Sequence, residues 1–262
     1  MPSFIRNTSG GTSVSGGALA PRSRRGNTLQ ADGYWRGGGA LPIVFQYLVI
    51  GGGNGGSDSG GGNAGGYRTN VTGATNGYGA SLEAPLELGA GTYTVIVGAG
   101  GGAANGAGGT STFATITTAA SGGLGGTGAG GAGNGGAGLS NDITGTAVMR
   151  GGGGSAGGDY TNGNAGIDGG GGGAIYINDY YGYGYARSTP AANKGGGGGG
   201  GYFGNYGQAG GSGVVIVRYL TAAASSAGYT ITGGTKTVGP SGATTYTVHE
   251  FTSTGTTSLV VA

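Results

Sequence analysis

Cysteine is absent, histidine and tryptophan occur once each, proline six times, and only 8% of the residues carry charge. Each shortage excludes something. Without cysteine there is neither a disulfide framework nor a thiolate metal site. The single histidine, His249, cannot supply a histidine metal cluster, and a catalytic triad needs more partners than this chain offers. The nine carboxylates are scattered singly, apart from Glu83 and Glu87 around Pro85, so a glycosidase pair has no support in their spacing. Few prolines and no sustained three-residue register exclude a collagen helix. The longest apolar run, 41–50, contains Pro42 and Gln46 and falls short of the ~20 residues of a membrane-spanning helix. No apolar stretch follows the basic start at Arg6, so a secretory signal is not expected. The expectation is a chain that is not an enzyme, with no cofactor, no metal site and no membrane span.

What the chain has instead is glycine, 76 residues of 262, against about 7% in ordinary proteins. Leu, Ile, Val and Phe together fall below the roughly 20% of a typical folded domain. Disorder would also bring high net charge and few aromatics, yet the formal charge is +2 and there are 16 tyrosines. The apolar residues are clustered as well, so the chain reads as folded around an unusual core.

Three zones follow. Residues 1–40 are rich in Ser, Thr and Gly, show no helical or strand period, and hold five of the eleven basic residues. They read as an extended arm. Within it Arg22, Arg24 and Arg25 are candidates for anchoring on a neighbouring protein; nucleic acid is the less favoured partner. Residues 41–220 form a glycine-rich body. In it, short segments rich in β-branched and aromatic residues alternate with glycine tracts. These segments are 43–50, 92–97, 111–116, 174–177 and 214–219, and each is bounded by turn residues, as strands are. Residues 221–262 alternate as a small antiparallel meander. Glycine interrupts every candidate helix at about 1 kcal/mol per residue, so almost no helix is expected.

Six glycine tracts alternating with strands are too many for linkers. Ordering them costs roughly 1–2 kcal/mol per residue, and glycine loses most. Lacking Cβ, extended threefold segments can pack side by side and hydrogen-bond in several directions. Five Asn-Gly pairs, beginning at Asn54, Asn76, Asn105, Asn134 and Asn162, would reverse the chain. The expected fold class is all-β with a glycine-rich, polyglycine II-like lattice.

Specific motifs carry a family resemblance. They run in order from Tyr47-Leu48-Val49-Ile50-Gly51-Gly52-Gly53, through Gly65-Gly66-Tyr67-Arg68 and the stretch 88–101, to 210–219. This order resembles the glycine-rich domain of bacteriophage tail-fibre and related virion proteins. The segment 249–256 is similar to a β element that often precedes the opening motif in that family; here it follows the body. The glycine tracts resemble in architecture the polyglycine II sandwich of phage distal adhesins. The resemblance implies a virion component at the host-contacting end of the particle. Its partners would be other virion proteins, through the arm, and host surface polysaccharide. A homo-oligomer, as a trimer, would suit a fibre. A capsid decoration, head-fibre or collar protein without a host ligand is the alternative.

Recognition chemistry concentrates in two segments. One contains Tyr176, Asn178, Asp179, Tyr180, Tyr181, Tyr183 and Tyr185; the other contains Tyr202, Phe203 and Tyr206. Rigid amphipathic rings on a pliable glycine backbone suit contact loops. They could stack on sugar faces while Asn and Asp bond hydroxyls. The same rings could instead pack over the body or at a subunit contact.

Overall fold

The computed structural model describes residues 40–74, 81–118, 133–159, 168–170, 175–179, 182–184, 188–201, 207–241 and 244–262. The chain divides into the units Met1–Leu41 and Pro42–Ala262, and the second holds the elements below.

The class is all-β. In the larger sheet, β1 (Ile43–Ile50) is flanked on one side by β12 (Val214–Leu220), followed by β15 (Thr244–Phe251) and β14 (Thr235–Ser241). On its other side β1 pairs with both β2 (Tyr67–Thr69) and β3 (Leu86–Leu88), each against three of its eight residues. The gap between those two short strands would leave β1 backbone groups unpaired. Asn70 fills it: its Oδ1 accepts from Tyr47 N at 2.8 Å and its Nδ2 donates to Phe45 O at 3.0 Å. A side-chain amide thus stands in for a peptide unit.

The second sheet runs in the order β13 (Ile231–Thr232), β16 (Gly255–Val261), β4 (Gly91–Val97), β5 (Thr112–Phe113) and β6 (Ile116–Thr117). The two sheets pack face to face. Phe45, Tyr47 and Val49 of β1 and Val215, Val217 and Tyr219 of β12 meet Val95, Phe113 and Leu259 of the facing sheet. The opposite face of the larger sheet is buried too. Leu48, Ile50, Val214 and Ile216 lie with Tyr67, Val71 and Ile143. Ile143 follows β7 (Leu139–Asn141), which pairs with β8 (Val148–Arg150). Burial on both faces explains why β1 and β12 are nearly continuous apolar runs rather than alternating ones.

Three expectations need correction. Residues 221–262 do not form a meander of their own: β14 and β15 extend the larger sheet, while β13 and β16 join the other. The reason is that β15 and β16 each complete an apolar face of a different layer. The expected single strand over 111–116 is instead a tight hairpin, β5 and β6, turned at Ala114 with φ 51°. Asn54 does not reverse the chain; it lies within an extended tract, its side chain accepting from Gly108 N. Asn105, at φ 63°, does turn, whereas Asn76 and Asn162 lie outside the described residues. Among the described residues the one helix is α1 (Thr221–Ala227), three of whose residues are consecutive alanines, closed by Gly228 at φ 76°.

The glycine tracts bond to one another with a three-residue step. Gly51, Asn54 and Ser57 donate to Gly66, Asn63 and Gly60, all at 2.8 Å. Gly52 and Gly55 donate to Gly109 and Gly106, and Gly53 and Gly56 to Gly211 and Gln208. Successive residues therefore address three neighbours in rotation, where a β-strand would alternate between two sides. The same step recurs elsewhere: Gly197 and Gly200 donate to Gly152 and Ser155, and Gly198 and Gly201 to Asn54 and Ser57. The spacing demands glycine. A Cβ on Gly53 would fall on the Gly196 carbonyl, a backbone group that cannot swing aside.

Candidate functional site

These hydrogen-bond registers fix the sense of each tract. Rising partner numbers make 51–57, 101–105, 152–155 and 195–201 codirectional; falling ones make 60–66, 106–109 and 207–211 antiparallel to 51–57. The tracts leave the strands at Ile50, Val97 and Arg150 and return to them at Tyr67, Thr112 and Val214. The opposite end is formed by the 57–60 reversal, the turn in which Gly106 N meets Gly102 O, and the tract ends Gly157, Gly201 and Gly207. Asp58, Ser59, Ala103, Ala104 and Asn105 are exposed there.

Beyond Gly157 the chain enters β9 (Gly158–Asp159), which pairs in parallel with β10 (Ile175–Asp179); β10 hairpins with β11 (Gly182–Gly184). Tyr176, Asn178 and Asp179 belong to β10 and Tyr183 to β11. Tyr180, Tyr181 and Tyr185 lie outside the described residues, as do Tyr202, Phe203 and Tyr206, between Gly201 and Gly207. Arg22, Arg24 and Arg25 also lie outside them. β10, through its pairing with β9, and Gly201 and Gly207, which flank the second segment, thus lie at the same end of the glycine body.

Titratable groups in the sandwich are engaged structurally. Arg68 forks onto Glu83 through Nε at 2.7 Å and Nη2 at 2.6 Å, and the Tyr47 hydroxyl donates to the same carboxylate at 2.7 Å. Burial and that carboxylate push the Tyr47 phenol well above its ordinary range. Arg150 Nη1 and the Tyr67 hydroxyl are buried without a hydrogen-bond partner among the described residues. Burial raises Tyr67 to about 12 and lowers Arg150. No three His, Asp or Glu side chains gather as a metal site among the described residues, and no helix there is long and apolar enough to cross a membrane.

One cavity was not foreseen from sequence. It has a volume of about 310 Å³ and lies between the 143–145 turn and the β14–β15 hairpin, over Arg218. Register builds it: Gln46, Arg218, Val248 and Thr237 form one cross-strand row, and Leu220, Tyr246 and Gly239 the next. Arg218 is 5% exposed. Its Nε donates to Gln46 Oε1 at 2.7 Å and its Nη1 to Asp142 O at 2.9 Å, while the guanidinium sits 4.6 Å from the centre of the Tyr246 ring. The available signal was a lone charge closing the apolar run Val214-Val215-Ile216-Val217-Arg218, a group that needs polar partners when it is buried. Comparison with known protein families, with curated proteins and with solved structures finds no match to this chain.

Proposed function

We propose that this chain is a structural and adhesive component of a bacteriophage particle, a tail fibre or receptor-binding protein. In this reading the tracts form a polyglycine II-like body, and the aromatic segments at its free end contact host surface polysaccharide. The observation that carries the reading is the three-residue step of the inter-tract hydrogen bonds. A core of backbone rather than side chains leaves few reactive groups inside. It tolerates long surface segments at its ends without loss of packing, which suits a presenting scaffold. Support for recognition comes from connectivity: two segments rich in Tyr and Gly join one end of the tracts, away from the strands. Weak contacts would gain from many copies on a particle, by a factor of ~10²–10⁴ in avidity.

The test is surface binding of the fluorescently labelled full chain to a panel of bacteria. Saturable binding to one strain, competed by that strain's purified surface polysaccharide, is the expected result. A folded protein that binds no strain infected by the particle carrying it would leave the architectural role, a head fibre, collar or decoration protein.

A further inference from the structure

We infer that the cavity over Arg218 is a carbohydrate subsite that takes one neutral hexose ring, separate from the aromatic segments. The inference stands on the cavity's own chemistry and does not need the virion reading. Size is the first constraint. About 310 Å³ is at the small end of the ~300–1,000 Å³ range of ligand pockets, right for one ring rather than a peptide or a nucleotide.

Polarity is the second. The walls combine Ile143, Val248 and the Tyr246 ring with the Thr237 residue and the Arg218 head. A sugar ring matches that mixture, with C–H groups on its faces and hydroxyls at its edge. A purely apolar ligand does not, because it would cover the guanidinium without offering an acceptor.

Charge is the third. Arg218 Nη2 and Asp142 Oδ1 are 3.7 Å apart, longer than a hydrogen bond, and the Asp142 side chain is half exposed. Nη2 keeps donor hydrogens to offer, while Asp142 stands behind the guanidinium, outside the residues that line the cavity. A ligand hydroxyl can accept from Nη2 while the guanidinium keeps its ion pair with Asp142. A ligand carboxylate would compete with Asp142 for the guanidinium and be repelled by it. The ligand is therefore hydroxyl-rich and uncharged.

The surroundings fit a chain of sugars. Leu220, the cross-strand partner of Tyr246, is 41% exposed, and Val44 on β1 is 48% exposed. An apolar strip beside the cavity would support the face of a second ring.

The experiment is saturation-transfer NMR on the full chain with the methyl glycosides of glucose, galactose and mannose, and with methyl glucuronide as the charged probe. At least one neutral glycoside should show transfer, with a dissociation constant on the order of 1 mM, and the glucuronide should bind at least about tenfold more weakly. The diagnostic variant is Gly239→Leu. Gly239 lines the cavity and a Cβ there meets nothing within 4 Å, so a larger side chain has room to occupy the recess. It should abolish the transfer while the amide spectrum stays that of the folded protein. Asp142→Asn should narrow the gap between neutral and charged probes. No transfer from any neutral glycoside, stronger binding of the glucuronide, or transfer undiminished in folded Gly239→Leu would each overturn the assignment. Because Gly239 is remote in sequence from 176–206, loss of cell binding in the tyrosine variants alone would leave this site standing.

Discussion

The Tyr219 hydroxyl lies 3.2 Å from His249 Nε2, their rings stacked with centroids 5.8 Å apart, while His249 Nδ1 sits 2.6 Å from the Gly233 carbonyl. The neutral imidazole satisfies both contacts, Nδ1–H donating to Gly233 and Nε2 accepting from Tyr219. His249 is fully buried. Burial lowers its pKa below the ordinary 6.5, Lys236 adds to this, and the Gly233 bond partly opposes it. The unfolded chain therefore binds the proton more readily than the folded one. Stability contributed by neutral His249 is complete above about pH 6.5 and is lost as the pH falls below that value. Thermal midpoints measured between pH 7 and pH 5 should decline, and a His249→Gln variant should decline less steeply across that interval.

Asn70 holds two β1 backbone groups that no strand reaches. Asn70→Ala leaves Tyr47 N and Phe45 O buried without partners. Each such group costs about 1–3 kcal/mol, so denaturant unfolding should show a loss of about 2–6 kcal/mol. Asn70→Asp keeps the acceptor for Tyr47 N but opposes Phe45 O, and it should not rescue.

Gly53 and Gly102 give a matched pair. A methyl on Gly53 collides with the Gly196 carbonyl, whereas one on Gly102 meets nothing within 4 Å. Gly53→Ala should lower stability by about 3 kcal/mol, at the upper end of overpacking costs. Gly102→Ala should stay within about 0.5 kcal/mol of the parent. Equal effects at both positions would argue against a backbone-packed body.

Replacing Tyr180, Tyr181, Tyr183 and Tyr185 together with Ala should weaken cell binding at least about tenfold without lowering the thermal midpoint. A folded variant that binds as well as the parent would remove this segment from recognition. A variant that loses stability instead would mark the rings as packing groups.

Much of the strand inventory was legible because it is local. The runs at β1, β4, β12 and β15 combine β-branched and aromatic residues with turn residues nearby, the pattern of strands. Arg218 interrupts an apolar run, but nothing in the sequence places it at the floor of a cavity. Its neighbours Gln46, Asp142 and Tyr246 come from other strands or turns, and only pairing registers bring them together. Asn54 misled because Asn-Gly favours turns through local backbone freedom, and that preference was outweighed by a hydrogen bond to Gly108, more than fifty residues away.

The sequence by itself determined that helices would be almost absent, that the strands would be short, and that the tracts between them could approach backbone to backbone. Those outcomes depend on side-chain size and branching at each residue. Tertiary structure alone decided which tract lies beside which, which sheet receives β15 and which β16, and that β9 and β10 lie at the same end of the glycine body as Gly201 and Gly207. Glycine carries no side chain to specify a neighbour. The choice falls to the registers of the flanking strands, whose apolar faces must be buried on two layers at once.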